Sequence, residues 1–539
     1  MTTVVLGQSN RRKDMFVTDP TQAAQTIAQG YQFASTALEL GTVSVDGQVD
    51  STAKVRIPLA MMNRHGLVAG ATGTGKTKTL QLIAEQLSAN GVPVVMADIK
   101  GDLSGLSRQG VSNDRITARA AQTGDDWSPT AYPVEFVSLG SQGIGVPVRA
   151  TITAFGPILL SKVLGLNDTQ ESTLGLIFHW ADKNGLALLD LKDIRSVIAY
   201  LTSDEGKPEL KAIGGVSTQT AGVILRALTN LEAAGGDTFF GEPELNPQDL
   251  LRLAPDGRGI ITLFELGDQA ANPVLFSTFL MWILAELFES LPEVGDVDKP
   301  KLVFIFDESH LLFNDASKAF IAQVVQTVKL IRSKGVGVFF CSQLPTDIPN
   351  DVLSQLGARV QHALRAFTPD DQKALSKTVK TYPVSDVYKL DQALTSLGTG
   401  EAIVTVLSEK GAPTPVAWTV IRAPRSSMEA VAAADITAAA KASPLYHTYG
   451  TAIDNKSAYE MLAAKMLSPG ESPDAPAPTP PAQAPAPTPA PVPAPVPEEP
   501  GMITEILTSE PMQRFLRNAA GQAGREFSRA IFGTGRRRR

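Results

Sequence analysis

No stretch constrains this chain more than Gly70-Ala71-Thr72-Gly73-Thr74-Gly75-Lys76-Thr77. It follows a short apolar run, Gly66-Leu67-Val68-Ala69, and leads into Leu80, Leu82, Ile83 and Leu87 at helical spacing. Strand, glycine-rich loop and helix in that order are the setting a phosphate-binding loop requires. The glycines let the backbone curl until successive amide N–H groups point inward at phosphate oxygens. Lys76 is then placed to reach the β- and γ-phosphates, and the Thr77 hydroxyl to ligate Mg²⁺. The helix that opens here adds the positive end of its dipole. Gly70 to Thr77, with Lys78 beside them, are the expected contacts to ATP and Mg²⁺. A glycine-rich turn that matches by chance is the weaker explanation, because strand and helix both flank it.

A second half of the site is visible far downstream. Lys301-Leu302-Val303-Phe304-Ile305-Phe306 is a continuous apolar strand that ends at Asp307-Glu308. An acidic pair at a strand end is ordinarily a solvated loop, but a phosphate loop upstream gives this one a task. Asp307 is expected to hold Mg²⁺ through a water, and Glu308 to orient and activate the attacking water. Gln343, at the tip of the strand Val336 to Phe340, suits a sensor of the γ-phosphate or of that water, with capping of the next turn as the plainer role. Phosphoryl transfer also needs positive charge on the developing transition state. Arg332 and Arg365 flank neighbouring strands, and spacing alone does not choose between them.

The rest of the chain supplies a frame. Strands at 92–98, 134–139, 259–264, 301–306, 336–340, 358–364, 402–407 and 416–421 alternate with helical patterns, which gives an α/β class with a mostly parallel, doubly wound sheet. Residues 1–54 form a short preamble, with a helix expected over 23–38 and short strands near 38–43 and 55–59. The sheet core then runs over 55–154 and 236–425. A helical insertion at 155–235 interrupts it, and a helical stretch follows at 426–470. Residues 471–500 are almost wholly Pro and Ala and cannot bury a core, so a disordered, semi-rigid linker is expected. It leads to a basic amphipathic tail, 501–539, that ends in Arg536 to Arg539. That tail suits DNA phosphates or an anionic membrane surface, or is simply a solvated or packing helix.

Composition narrows the surroundings. One cysteine in 539 residues, Cys341, rules out an internal disulfide framework and fits a reducing cytoplasm. The first 19 residues lack the apolar core of a secretory signal. The longest apolar run, Val274 to Leu287, carries Ser277, Thr278 and Glu286 and reads as a buried helix rather than a membrane span. A net charge of −7 gives no broad attraction to nucleic acid, so any such contact needs a local basic surface.

Taken together, the phosphate loop, Phe304-Ile305-Phe306-Asp307-Glu308-Ser309-His310 and Cys341-Ser342-Gln343 resemble the HerA/FtsK superfamily of RecA-like motor ATPases. Asp98-Ile99-Lys100-Gly101-Asp102-Leu103-Ser104-Gly105 and Asn167-Asp168-Thr169-Gln170-Glu171-Ser172 resemble the bacterial HerA-like branch of the YjgR type. The likeness spans about residues 55 to 425. It implies a RecA-like P-loop core, a homo-oligomer in the form of a hexameric ring with ATP between subunits, and a polymer, DNA first, threaded through the pore. It places Arg332 as an arginine finger reaching a neighbour, Arg365 as a second arginine, and Asp98 at an acidic position near the nucleotide. The short N-terminus departs from the pattern, which opens with a β-barrel, and so do the linker and the arginine tail. A nucleotide-gated scaffold or switch that threads nothing is the alternative function.

Overall fold

The computed structural model describes residues 19–98, 101–212, 214–265, 273–295, 297–314 and 316–467. The expected Pro/Ala linker and arginine tail lie outside these residues. Helix α1 (Pro20–Gln29) starts on an Asp19 cap with Pro20 in its first turn and stops at Gly30. The helix expected over 23–38 is therefore shorter and earlier, because from Ala37 the backbone is committed to a sheet. Strands β1 (Ala37–Val45) and β2 (Gln48–Pro58) form an antiparallel hairpin, longer than the short strands expected. β3 (Gly66–Ala69) leads through the glycine-rich loop into α2 (Lys76–Ala89), followed by β4 (Val94–Asp98), α3 (Asp114–Thr123), β5 (Val134–Leu139) and β6 (Val146–Val148).

Among the described residues, five α-helices separate β6 from the next strand. They are α4 (Ile152–Val163), α5 (Asp168–Lys183), α6 (Leu191–Thr202), α7 (Lys207–Ala212) and α8 (Thr218–Ala233). Their starts are set by local chemistry: Asn167 and Gln170 form a reciprocal cap on α5, Asp190 and Asp193 do so on α6, and Ser217 caps α8. Then come β7 (Ile261–Glu265), α9 (Pro273–Ser290), β8 (Leu302–Phe306), α10 (His310–Phe313), α11 (Lys318–Ile331), β9 (Val336–Ser342), α12 (Asn350–Leu353) and β10 (Ala358–Gln361). The chain continues through α13 (Pro369–Val379), α14 (Leu390–Ser396), β11 (Glu401–Thr405), β12 (Ala417–Ile421), α15 (Ala433–Ala442), α16 (Pro444–Tyr449) and α17 (Ala458–Leu467).

All twelve strands of the described residues join one sheet in the order β2-β1-β12-β11-β10-β3-β9-β8-β4-β7-β5-β6. From β10 to β6 every pairing is parallel, whereas β2, β1, β12 and β11 extend the sheet antiparallel. Central strands are buried on both faces, so they read as continuous apolar runs. Along β8, Phe304 and Phe306 join the core shared with α4–α6, α8, α9 and α11, while Val303 and Ile305 join the core shared with α1, α2 and α14. Helix α9 has Phe276, Phe279, Trp282 and Ile283 all buried and is a core helix. No helix among the described residues is long and apolar enough to cross a membrane.

The order β3-β9-β8 matters most for function. The glycine-rich loop leaves β3, Gln343 leaves β9, and Asp307-Glu308 leave β8, all at the carboxyl end of a parallel sheet. In register, Ala69 lies beside Ser342 and Phe306 beside Phe340. Gln343 therefore stands between the loop and the acidic pair, whose strands are two spacings, or about 10 Å, apart.

Candidate active site

The loop is held from outside by backbone bonds. Gly70 N–H donates to Ser342 O (3.2 Å), Ala71 N–H to Ala363 O (2.8 Å), and Gly400 N–H to Thr74 O (2.9 Å). Gly70, Gly73 and Gly75 take φ of +151°, +79° and +115°, conformations open to glycine alone at little cost. Lys76 Nζ donates to the loop's own carbonyls, Gly70 O (2.7 Å) and Ala71 O (3.2 Å). The ammonium thus lies across the loop at the start of α2, where phosphate oxygens can replace those carbonyls.

Under the loop sits His362, fully buried and unnoticed in the sequence. Its Nδ1 donates to Glu401 O (2.8 Å), so Nε2 accepts from the Thr79 hydroxyl (2.9 Å). Burial, with the Lys76 charge adding to it, pushes the imidazole down to about 4, so it stays neutral. A Cβ on Gly70 would lie 2.6 Å from the His362 Cβ. Gly70→Ala is therefore expected to cost about 1–3 kcal/mol, seen as a lower melting temperature, because neither the φ nor the packing admits the methyl.

The acidic pair is shaped as tightly. Glu308 adopts φ +46°, a left-handed conformation costly for a side-chain-bearing residue. Its N–H donates to Asp307 Oδ1 (2.9 Å), and Ser309 ties the turn to β9 through Cys341 O with its N–H (2.8 Å) and hydroxyl (2.9 Å). Burial first, and the nearby Asp307 carboxylate with it, push the pKa of the buried Cys341 thiol well above the usual thiol range. His310 Nδ1 lies 3.4 Å from Glu308 Oε2. From the other side, Lys162 of α4 donates to Asn314 O, and Ser317 Oγ donates to Glu171 of α5 (2.9 Å). Glu171 thus holds Ser317, the residue that caps α11.

Gln343 is exposed at the tip of β9. Arg365, also exposed, donates from Nη2 to Thr72 O (3.4 Å), so β10 brings it to the loop of its own chain. Arg332 does not join them. It follows α11 at the amino end of β9, and that seven-residue strand, about 23 Å long, separates it from Gln343. Two other expected nucleotide contacts are engaged elsewhere. Lys78 Nζ donates to Met428 O (3.0 Å), Gln81 Oε1 (3.1 Å) and Asp102 O (3.4 Å), and burial lowers its pKa. Asp98 accepts backbone N–H groups from Asp102 (3.1 Å), Leu103 (2.7 Å) and Ser104 (3.2 Å), which shapes the turn after β4.

Beside Asp98, in register on β7, lies Glu265. Burial and the Asp98 charge push Glu265 up to about 8, and burial chiefly pushes Asp98 to about 6. Glu265 Oε1 is buried with no hydrogen-bond partner among the described residues. The folded chain therefore keeps a proton on Glu265 that the unfolded chain releases near pH 4.5. Stability contributed by that proton is full below pH 4.5, falls as pH rises towards 8, and is gone above it. Glu265→Gln is expected to raise the melting temperature at pH 9 and to flatten the pH profile between 4.5 and 8. A parallel profile for the two proteins would contradict this.

Mg²⁺ and nucleotide suit this donor set: Thr77 and Asp307 would provide oxygen ligands, and the loop amides with Lys76 would receive phosphate. A family model described as "Helicase HerA-like C-terminal" matches residues 44–539. The chain is 22% identical over 376 residues to the "DNA double-strand break repair helicase HerA" of Sulfurisphaera tokodaii, covering 69% of this chain and 68% of that protein. It is 23% identical over 394 residues to a "Probable helicase" of Methanocaldococcus jannaschii, with the same two shares. Among solved structures, the plasmid coupling protein TrwB with the ATP analogue ADPNP aligns at a TM-score of 0.49 and 16% identity, over 76% of this chain and 94% of that one.

Proposed function

Since the chain belongs to the family of HerA-like helicase C-terminal regions and is a P-loop ATPase, we propose that it is a Mg²⁺-dependent ring motor that moves DNA. ATP sits on the loop, its phosphates on Lys76 and the loop amides. Thr77 and Asp307 hold the ion. Glu308 takes a proton from the attacking water, and Gln343 orients that water against the γ-phosphate. Arg365 adds positive charge from the same chain, and Arg332 adds it from the neighbour.

One observation carries the ring. Lys76, Thr77, Asp307, Glu308, Gln343 and Arg365 gather at one end of the sheet, while Arg332 stands at the other. An arginine side chain cannot span that gap, so Arg332 serves a nucleotide only across a subunit boundary. A hexamer is the closed ring proposed. DNA is the polymer proposed because the relative from Sulfurisphaera tokodaii bears the name of a DNA helicase.

The test is ATP-driven displacement of streptavidin from the end of a biotinylated duplex. Displacement by the parent protein that Lys76→Ala abolishes supports the motor. Hydrolysis without displacement selects the second reading, a nucleotide-gated scaffold or switch, which the net charge of −7 favours.

A further inference from the structure

A loop with glycines at positive φ in positions 70, 73 and 75 has little stiffness of its own, so its shape must be imposed from outside. At its start the brace is backbone. The His362 N–H donates to Ala69 O (2.7 Å), and the adjoining Ala363 O accepts the Ala71 N–H (2.8 Å). At its end lies the first turn of α2, where the Thr79 N–H closes a helical bond on Gly75 O (3.0 Å). The amides of Lys76, Thr77 and Lys78 precede that bond and belong to the set a helix leaves for outside partners. Here the brace is a side chain. The His362 ring, buried together with Thr79, accepts the Thr79 hydroxyl on Nε2 (2.9 Å) and donates from Nδ1 to Glu401 O (2.8 Å).

The anchor at Glu401 is itself held. The Gly400 N–H donates to Thr74 O (2.9 Å), and Arg119 of α3 donates to Gly400 O (2.9 Å) and Thr399 O (3.3 Å). A Cβ on Gly75 would lie 3.2 Å from the Gly400 backbone and 3.5 Å from the His362 ring, so loop, turn and imidazole are in close contact. We propose that His362 is a positioning residue for nucleotide binding: it braces the first turn of α2 against the 399–401 turn behind the loop, and so holds Lys76 and the loop amides where the phosphates need them. The proposal rests on the reading that this loop holds the phosphates of ATP. Asp307, Glu308 and Gln343 leave other strands, so the brace bears on binding and not on the chemical step.

The experiment compares Thr79→Val, Thr79→Ser, His362→Asn and the double variant of Thr79→Val with His362→Asn, at a temperature where each is folded. Valine keeps the shape of threonine without its hydroxyl, whereas serine keeps the hydroxyl. Asparagine retains an N–H near Glu401 O but is too short to reach Thr79. Thr79→Val and His362→Asn are each expected to raise KM and the fluorescent-ADP dissociation constant about tenfold, the contribution of one hydrogen bond to a charged group, with kcat little changed. Thr79→Ser is expected to bind as the parent does. Because the two single variants cut the same bond, the double variant is expected to bind no more weakly than either.

Those results support the proposal. Parent-like affinity in Thr79→Val, with only a lower melting temperature, would reveal a packing role and overturn it, as would losses that multiply in the double variant. Lys76→Ala separates the brace from the loop reading. If Lys76→Ala still binds fluorescent ADP as the parent does, the loop reading falls, and this inference with it. If Lys76→Ala loses binding while Thr79→Val keeps it, the loop stands and the role of His362 is overturned. Should His362→Asn not fold, the two Thr79 variants decide alone: weaker binding by Thr79→Val only supports the proposal, and equal binding by both overturns it.

Discussion

Glu308→Gln lowers ATP turnover by about 10²–10⁴-fold and leaves nucleotide affinity within a few-fold of the parent, the range a positioned general base contributes. The amide has the shape of the carboxylate but cannot take a proton from water. Asp307, Thr77 and Lys76 remain, so the ion and phosphates are still held. The left-handed backbone at Glu308 and the bonds of Ser309 to Cys341 O fix the turn independently of the side chain, so the substitution does not remodel it. Steady-state turnover and fluorescent-ADP titration on one preparation separate the two effects. A Glu308→Gln protein that turns over ATP within tenfold of the parent would remove Glu308 from the chemistry.

Lys76→Ala is expected to weaken nucleotide binding by about 10²-fold or more and to reduce turnover to background. The ammonium now satisfied by Gly70 O and Ala71 O exchanges them for phosphate oxygens. Each charge-assisted hydrogen bond is worth roughly 1.5–3 kcal/mol, and 1.4 kcal/mol is a factor of ten. The fold should survive, because Lys76 is half-exposed and the loop is anchored by Ser342, Ala363 and Gly400 through backbone bonds that alanine retains. The melting temperature without nucleotide tests that point. Loss of binding with an unchanged melting temperature is the expected pair of results.

The contrast between the two variants shows which parts of the site were legible in the sequence. The loop and the acidic pair were, because their chemistry is local: glycines at fixed offsets, a lysine at the helix start, two acids at the end of an apolar strand. The strand order was not, since pairing of β1 with β12 joins residues such as Thr42 and Val420 that no periodicity connects. Arg365 shows the same limit, because its approach to Thr72 depends on β10 lying against β3. His362 was missed altogether. A lone histidine in an apolar setting carries no spacing signal, and only the folded chain reveals what its ring bridges.

Asp98 and Lys78 teach the reverse lesson. The family resemblance suggested Asp98 as a nucleotide contact, and the place of Lys78 next to Thr77 in the chain suggested it as another. Burial and backbone bonding instead engage Asp98 in the turn at 102–104 and Lys78 with the segment at Met428. Helix α2 is strapped to that segment further along as well, where Glu85 accepts the Arg425 and Ser426 amides (2.9 Å each). The site is thus positioned by residues more than 300 places away in the chain, a dependence that local sequence patterns do not express.

The most direct measurement is ATP turnover by the parent protein with and without single- and double-stranded DNA, beside Lys76→Ala and Glu308→Gln. Strong stimulation by DNA that both substitutions abolish is the expected result. Slow turnover indifferent to DNA would contradict the motor, and no turnover at all under assembled conditions would contradict the catalytic assignment itself.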